Sequence, residues 1–462
     1  MNYEESVRTL LSLGRELASP QHAHVQKFGL ENITTLAAAL GNPHRAAPCV
    51  HIAGTNGKGS TAAMLESILR GSGLRTGLYT SPHLVRINER IRICNEDIAD
   101  EEFAAAWTRV QGTIESLLAA GKLAAHPTYF ECITAMAFVA FASRGVNFAV
   151  YETGLGGRLD ATNVVQPEAA VITSIDFDHE DYLGHSIEEI AGEKAGIIKA
   201  GAPVVSSAAR PQARQVIARR CRELNVDLVE IDEAWRLENW SVDGGIYRAT
   251  AVAVESGEKL AIEPPLAGRF QIRNALTAAT AARLLARRGF AISDVMIESG
   301  IRSAHWPGRL ERLQDRPAVY IDGTHNPAGA RELLQFWEDN FAGRRILLVY
   351  GAMRDKAVDE IAGLLFPRAD LVVLTEPRQP RAISAPLLAE MTAHLARNSM
   401  VVRDPMAALE RAIELAGPAD AVFATGSLYL VGDLRGYWSK RAVLIPATET
   451  TAHHSAPRPK SS

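Results

Sequence analysis

A glycine-rich loop near the start of the chain constrains the fold more than any other segment. Residues 51–61 read HIAGTNGKGST, with an apolar run before them at Cys49–Ala53 and a helical pattern after them at Thr61–Leu69. Between a strand and a helix, such a loop lets backbone N–H groups surround a polyphosphate, and the helix N-terminus adds a favourable dipole. The sequence therefore predicts a strand–loop–helix unit that binds a nucleotide.

One lysine and two hydroxyl residues of this loop can contact phosphate. Lys58 can bridge phosphate oxygens, and Ser60 or Thr61 can support a phosphate or its Mg²⁺. The spacing departs from the common GxxxxGK[ST] pattern, because Ile52 stands where the first glycine is expected and Gly59 separates Lys58 from Ser60. A flexible glycine turn without a ligand is the alternative interpretation.

Short β-like runs alternate with helical patterns beyond the loop. Val146–Tyr151, Ala169–Ile175 and Pro203–Ser206 each end in a polar or glycine-rich segment. This alternation predicts an α/β, doubly wound and mostly parallel sheet, whose ligands lie at the carboxyl ends of its strands. Trp235–Glu263 indicates a small antiparallel array, and Phe270–Arg288 indicates a long helix.

A second α/β unit is predicted after a segment of little periodicity. Its β-runs, with helical patterns between them, are Val319–Ile321, Ile346–Tyr350, Leu371–Thr375 and Val422–Ala424. We therefore expect an N-terminal domain of the P-loop ATPase type at residues 1–301, with the antiparallel subregion, and a hinge linker at 302–308. A C-terminal Rossmann-like α/β domain is expected at 309–444, and a disordered tail at 445–462.

Composition excludes several classes of function. A formal net charge of −4 gives no basic footprint, so we expect no nucleic-acid partner. The longest apolar run, Ala135–Ala142, is shorter than the ~20 residues that a membrane helix needs. The four cysteines form no CxxC pair and the N-terminus has no signal-peptide pattern, so a cytoplasmic location with reduced thiols is expected.

Polar clusters stand beside several β-runs. They are TSPHL at residues 80–84, ETGLGGRLDATN at 152–163, SIDFDHEDYLG at 174–184 and EKAGIIKAG at 193–201. Because the carboxyl ends of parallel strands meet at one edge of a sheet, the clusters predict a metal–nucleotide site beside the loop. Taken singly, Glu152 could cap a helix, His179 could be a hydrogen-bonded loop histidine, and Lys194 could be a solvated helix lysine.

The pattern as a whole resembles the folylpolyglutamate synthase/dihydrofolate synthase family, within the Mur ligase superfamily of ATP-dependent amide-forming ligases. Besides the clusters above, the matching elements are GTNGKGS, YFE at Tyr129–Glu131, Asn274, PGR at Pro307–Arg309, DGTHNP at Asp322–Pro327, DK at Asp355-Lys356 and GSLYLVG at Gly426–Gly432. They occur in family order and span roughly residues 25–435.

The resemblance implies a nucleotide and metal site. Nucleotide contacts are implied for Asn56, Gly57, Lys58, Gly59, Ser60, Asn274, Arg309 and Asp322. Ligands for Mg²⁺, at two sites, are implied for Ser81, Glu152, His179 and Lys194. Oxygen ligands suit this hard cation, and Lys194 would join them as a carbamylated, anionic side chain. Catalytic roles are implied for Lys58, Lys194, Asp322 and His325.

The resemblance also implies contacts to a folate. They fall at Phe28, Gly29, Leu30, Glu31, Tyr129, Phe130, Glu131, Leu159, Asp160 and Ala161. Two positions depart from the usual family pattern, since Asn32 stands where an arginine is common and Thr324 replaces a usual alanine. The first departure lies next to the implied pterin contacts, and neither affects an implied metal or phosphate ligand.

The activity that the resemblance implies is ATP-dependent ligation of L-glutamate to the carboxylate of dihydropteroate or a reduced folate, through an acyl phosphate, by a monomer without a membrane partner. One alternative is another Mur-superfamily amino-acid ligase, although the roughly 50 residues before Gly54 are too few for a UDP-sugar-binding domain. The other is a non-catalytic P-loop module, which would not need the metal-ligand candidates. Closure of the second domain about Trp306–Arg309 is expected to bring Asp322 and His325 onto the site.

Overall fold

The computed structural model describes residues 1–14 and 29–444, so Phe28 and the predicted tail at 445–462 lie outside the described residues. The helices are α1 (Tyr3–Ser12), α2 (Glu31–Ala39), α3 (Lys58–Gly71), α4 (Asp100–Ala119), α5 (Tyr129–Ser143), α6 (Glu180–Leu183), α7 (Ile187–Ala195), α8 (Pro211–Leu224), α9 (Ile231–Ala234), α10 (Phe270–Arg287), α11 (Asp294–Arg302), α12 (Pro327–Phe341), α13 (Val358–Leu365), α14 (Ala385–Thr392), α15 (Pro405–Leu415) and α16 (Leu428–Leu444).

The strands belong to three sheets. They are β1 (Cys49–Ala53), β2 (Thr76–Tyr79), β3 (Ile91–Ile93), β4 (Glu96–Asp97), β5 (Phe148–Glu152), β6 (Ala169–Ile172), β7 (Val204–Ser206), β8 (Leu228–Glu230), β9 (Trp235–Asp243), β10 (Ile246–Ala253), β11 (Lys259–Ile262), β12 (Glu311–Asp315), β13 (Ala318–Ile321), β14 (Ile346–Tyr350), β15 (Leu371–Leu374), β16 (Ser399–Val401) and β17 (Ala421–Thr425). The helix α3 begins three residues before the predicted start, because its first turn, Lys-Gly-Ser, carries no apolar periodicity.

The first sheet contains eight strands in the order β4-β3-β2-β5-β1-β6-β7-β8. Its main strands run parallel, whereas β3 and β4 pair antiparallel at one edge. Alternate residues of β1 face opposite cores: Val50 and Ile52 pack with α3 and α10, and Cys49 packs on the side of α5. Helices therefore cover both faces, and the predicted doubly wound sheet is confirmed.

A small antiparallel sheet follows in the order β11-β10-β9, as the sequence predicts for Trp235–Glu263. It packs against α10 and is tied to it where the indole N–H of Trp235 donates to Thr280 Oγ1 at 2.9 Å. The hydroxyl of Tyr247 on β10 donates to Asp339 on α12 at 2.7 Å. The small sheet therefore connects the first sheet with the second α/β unit.

The third sheet has six strands in the order β12-β13-β17-β14-β15-β16, all parallel except β12. Its four predicted strands are present, and β12 and β16 were not predicted. Both lie at an edge of the sheet and are partly exposed, so neither has a continuous apolar run. The domain limits and the linker at 302–308 stay predictions. Within the described ranges no helix is both long and apolar enough to span a bilayer.

Candidate active site

A cavity of about 580 Å³ lies where the strand ends of the two parallel sheets meet. The phosphate loop forms one wall, and the segment after β13 faces it from the third sheet. All predicted nucleotide, metal and catalytic residues line this cavity: Asn56, Gly57, Lys58, Gly59, Ser60, Ser81, Glu152, His179, Lys194, Asn274, Arg309, Asp322 and His325. Asn56 and Asn326, which are 270 positions apart in the chain, thus line the same cavity.

Two glycines shape the phosphate loop. Gly57 has φ of +86° directly before α3, and a Cβ there would lie 2.4 Å from Asn274 Oδ1. At Gly59 a Cβ would lie 2.7 Å from the ring of Trp306, so the extra glycine after Lys58 makes room for an indole. Among the described residues no side chain caps the start of α3, so this helix end can receive an anion.

The two lysines of the site share one acceptor. Lys58 Nζ donates to the carbonyls of Gly54 at 3.0 Å and Thr55 at 3.1 Å, and Lys194 Nζ donates to the same Gly54 carbonyl at 2.8 Å. Lys194 is 4% exposed, and burial together with the charge of Lys58 lowers its pKa to about 7. Lys194 is therefore not a solvated helix lysine, and its amine loses its proton near neutral pH.

Glu152 is the last residue of β5 and is 4% exposed. Its Oε2 accepts the Ser81 N–H at 3.2 Å, so the two predicted ligands are neighbours. Burial raises the pKa of Glu152 to about 7, against the opposing effect of Lys58. Glu152 does not cap a helix, because a loop follows β5.

His179 directly precedes α6, has φ of +52° and faces a cation from the second α/β unit. Lys356 Nζ lies 3.1 Å from His179 Nε2 and donates to Asp178 Oδ1 at 2.8 Å. Burial, followed by the charge of Lys356, lowers the pKa of His179 to about 3. Sequence reasoning assigned no role to Lys356 or Asp178, although both stand in motifs, Asp355-Lys356 and DFDHEDYLG, that it had singled out.

The segment after β13 is organised by its own backbone. Asp322 accepts the N–H of Leu310 at 2.9 Å and of Thr324 at 3.0 Å, one with each carboxylate oxygen. His325 has Nδ1 2.8 Å from the carbonyl of Gly323, and its Nε2 lies 3.4 Å from Asp178 Oδ2. Asp322 therefore shapes the loop that carries His325 to the cleft.

Arg309 lies against this segment. Its Nη1 donates to the Gly308 carbonyl at 3.2 Å, and a Cβ at Gly323 would lie 2.2 Å from the same nitrogen. The absence of a side chain at Gly323 therefore lets the guanidinium pass next to the loop.

Most of the predicted folate contacts line the same cavity, namely Gly29, Tyr129, Phe130, Glu131, Leu159, Asp160 and Ala161. Leu30 and Glu31 are not part of its wall, since Leu30 precedes α2 and Glu31 is exposed at its first position. Phe28 cannot be placed, because it lies outside the described residues.

The two acidic residues of the folate set that line the cavity, Glu131 and Asp160, already have protein partners. Glu131 accepts the N–H and the hydroxyl of Thr128 at 2.8 and 2.9 Å and so caps α5. Asp160 accepts the N–H groups of Gly154 and Leu155 at 2.8 and 2.9 Å. Both carboxylates therefore hold the wall in shape.

Known proteins resemble this chain over nearly its whole length. Residues 52–282 match the Mur ligase middle domain, and residues 308–428 match the Mur ligase glutamate ligase domain. The dihydrofolate synthase/folylpolyglutamate synthase of Bacillus subtilis is 38% identical over 413 residues, which cover 88% of this chain and 94% of that protein. The folylpolyglutamate synthase of Lacticaseibacillus casei is 35% identical, covering 94% of this chain and 98% of that protein.

Solved structures agree with the sequence matches. Mycobacterium tuberculosis folylpolyglutamate synthase, complexed with ADP and AMPPCP, superposes with a TM-score of 0.83 at 32% identity, covering 94% of this chain and 99% of that one. Escherichia coli FolC in complex with DHPP and ADP gives a TM-score of 0.82 at 30% identity, covering 96% of this chain and 98% of that one. The chain therefore belongs to the folylpolyglutamate synthase/dihydrofolate synthase family of ATP-dependent Mur ligases.

Proposed function

We propose that this protein uses ATP to join L-glutamate to the carboxylate of dihydropteroate or of a reduced folate. The observation that carries the proposal is the single cavity in which the phosphate loop, the buried Glu152 and Lys194, and the aromatic wall of Tyr129 and Phe130 meet. Relatives named for both synthase activities support it, as do their complexes with ADP, AMPPCP and DHPP.

The chemistry requires activation of a carboxylate, which is a poor acyl donor. Transfer of the γ-phosphoryl group of ATP gives an acyl phosphate and ADP, and attack by the amino group of glutamate then gives the amide and phosphate. Lys58 at the start of α3 neutralises charge on the transferred group, for which it must leave the Gly54 and Thr55 carbonyls. No side-chain nucleophile is needed.

The donor set around Glu152 fits a Mg²⁺ ion. The carboxylate of Glu152 is buried and adjacent to Ser81, and oxygen donors of this kind are those that Mg²⁺ prefers. Among the described residues no three His, Cys, Asp or Glu side chains are grouped to hold a metal, so phosphate oxygens would complete the shell. His179 would join only after Lys356 leaves its Nε2. When bound, Mg²⁺ supplies neutralising charge to the phosphoryl group.

Carbamylation of Lys194 is the second part of this proposal. Carbon dioxide adds to a neutral amine, and a pKa of about 7 supplies that form at physiological pH. The carbamate would turn a cation beside Lys58 into an anion, which removes the repulsion between the two side chains. An anionic Lys194 could then serve as the predicted ligand of a second Mg²⁺ ion.

We propose that the second domain closes over the acyl phosphate with Asp322 holding the loop and His325 facing the phosphoryl group. Closure excludes water, which would otherwise hydrolyse the intermediate. We place the enzyme in the cytoplasm as a monomer, in line with the four free cysteines Cys49, Cys94, Cys132 and Cys221 and with the family resemblance.

The test is release of ADP that depends on both L-glutamate and a pterin acceptor. Dihydropteroate and tetrahydrofolate, assayed separately with Mg-ATP, distinguish the two synthase activities. ADP release with a UDP-sugar precursor in place of both acceptors would indicate another Mur ligase. Nucleotide binding without turnover on any acceptor would indicate a binding module and would overturn the proposal.

A further inference from the structure

One amide side chain bridges the cleft between the two parallel sheets. Asn326 precedes α12, and its Oδ1 accepts the Gly329 N–H at 2.8 Å, which caps that helix. The same oxygen accepts from Asn56 Nδ2 at 3.0 Å, and Asn326 Nδ2 donates to Asn56 Oδ1 at 2.9 Å. Asn326 Nδ2 also donates to Asp178 Oδ2 at 3.2 Å.

These contacts use the hydrogen-bonding capacity of a carboxamide in full. A carboxamide has two N–H donors and one oxygen with two lone pairs, and Asn326 makes two bonds with each atom. The side chain is 2% exposed, so a lost partner would leave a polar atom without solvent. An aspartate at this position could cap α12 equally well but would lack both donors and would face the carboxylate of Asp178.

The partners of Asn326 belong to the two loops that carry the nucleotide and metal candidates. Asn56 lies in the phosphate loop, and its own N–H points to Ser174 Oγ at 3.3 Å. Asp178 precedes His179 and accepts a hydrogen bond from Lys356, which lies in the loop after β14. The charges of Lys356 and Asp178 attract each other over many geometries. The two hydrogen bonds between the amides of Asn326 and Asn56 form only when the two loops are aligned.

We propose that Asn326 is a positioning residue that clasps the second domain onto the phosphate loop through its paired amide with Asn56. The proposal rests on the ligase function proposed above and deepens it, because the clasp sets the position of the neighbouring His325 relative to the phosphate loop. It also makes Asn326 of the second domain the partner of the Asn56 side chain. The family resemblance, in contrast, implies that Asn56 contacts the nucleotide. The backbone of Asn56 still lies in the loop that would surround phosphate.

Two variants separate the clasp from other roles. Asn326→Ser keeps a side-chain oxygen that can cap α12 but removes the amide donor and its reach. Asn56→Ala removes the other half of the pair. Asn398→Ser is the matched control, since Asn398 lies before β16, at the opposite end of the same sheet, where its amide donates to the Asp370 carbonyl.

The readouts are turnover with Mg-ATP, glutamate and acceptor, and small-angle scattering with and without AMPPCP plus dihydropteroate. We expect kcat of Asn326→Ser and Asn56→Ala to fall about tenfold or more, with the KM for ATP of Asn326→Ser changed less than about twofold. The radius of gyration of each loaded variant should stay above that of loaded wild type. The double variant should be no worse than the poorer single variant, because both substitutions break the same amide pair.

Three results would overturn the clasp: wild-type kcat in Asn326→Ser, loss of kcat with normal closure, or fully additive effects of the two substitutions. Should Asn326→Ser fail to fold, Asn56→Ala alone is judged by the same scattering criterion. Absence of glutamate-dependent ADP release in the wild type would refute the proposed function. The scattering comparison would still decide the clasp, because it reads the domain arrangement directly.

Discussion

Lys194 and Glu152 of the first domain bring to the cavity charges that burial has removed from water, whereas Asp322 of the second brings a carboxylate that backbone N–H groups already hold. Lys194 and Glu152 are each 4% exposed, and burial moves the pKa of both to about 7. Asp322 instead accepts two backbone N–H groups of its own domain. The difference separates buried charges from a carboxylate that organises a loop of the facing wall.

This contrast predicts different consequences when a side chain is removed. In the first domain, truncation of a buried charged side chain deletes a charge that the substrate needs. The same charge lowers the stability of the ligand-free protein, because burial removes it from water. In the second, truncation leaves backbone donors without an acceptor, so part of the loss falls on the local structure. The following experiments test the contrast in order of expected effect.

Lys58→Ala should reduce ATP-dependent glutamate addition by about 10²–10³-fold or more, because a phosphate-neutralising charge is lost in the transition state. The midpoint of thermal unfolding should not fall, since burial already lowers the pKa of Lys58 and disfavours its charged form. Turnover and thermal unfolding of the same preparation check this, with exposed Lys122→Ala as the control. Near-normal turnover would refute the role of the loop lysine.

Lys194→Ala should lose activity by about 100-fold or more, if a carbamate there holds a cation worth several kcal/mol. Added acetate or propionate should partly restore turnover, because a carboxylate can occupy the vacated position. Lys194→Arg is the control: it keeps the charge, cannot be carbamylated and leaves no space, so carboxylates should not restore it. Crystallographic density for a bare amine in an active Mg-ATP complex would contradict the carbamate.

Asp322→Ala should lower turnover about tenfold or more while changing the affinity for ATP much less, because its carboxylate holds a loop of the second domain. Asp322→Asn retains one acceptor oxygen, so its turnover should lie between that of the wild type and that of Asp322→Ala. Nucleotide titration in parallel with steady-state rates gives the comparison. Equal losses in affinity and turnover would place Asp322 in nucleotide binding rather than in the wall.

Glu152→Gln should abolish metal-dependent activity yet stabilise the ligand-free fold at pH 8. The folded-state pKa of Glu152 is raised from 4.5 to about 7, so the folded state binds more protons across that window and its stability falls as the pH rises through it. The glutamine has no charge to desolvate, so the variant should have a larger free energy of unfolding than the wild type. This difference is largest above pH 7, at most about 3 kcal/mol, and vanishes below about pH 4.5.

Denaturant unfolding of Glu152→Gln at pH 5 and pH 8 measures this advantage. A less stable variant at pH 8 would mean that the carboxylate is not desolvated in the free protein. Lys194 acts in the opposite direction, since its pKa falls from 10.5 to about 7 and wild-type stability therefore rises with pH between those values.

The strands that were predicted best are those buried on both faces. The prediction for Ile346–Tyr350 matches β14 at both ends, because every residue of that strand is buried and the run is wholly apolar. The edge strands β12 and β16 went unpredicted, since one face of an edge strand stays polar or exposed. Complete burial therefore made β14 readable, and partial exposure hid β12 and β16.

The site divides in a similar way. The candidate ligands and phosphate contacts stand in local motifs next to strand ends, and the family resemblance assigned their roles. The pairing of Lys356 with Asp178 joins residues 178 positions apart, and that of Asn56 with Asn326 joins residues 270 apart. No local spacing encodes such contacts.

The sequence by itself determined the α/β class, the phosphate loop, the family and most of the predicted residues that line the cavity. Each of these depends on residue types at short spacings, because backbone conformation and strand burial are local properties. Only the tertiary structure decided that Lys58 and Lys194 share the Gly54 carbonyl and that Asn326 holds the phosphate loop. Desolvation, shifted pKa values and contacts across the cleft arise only when two sheets bring distant loops together. The order of residues along the chain does not specify the distance between such loops in space.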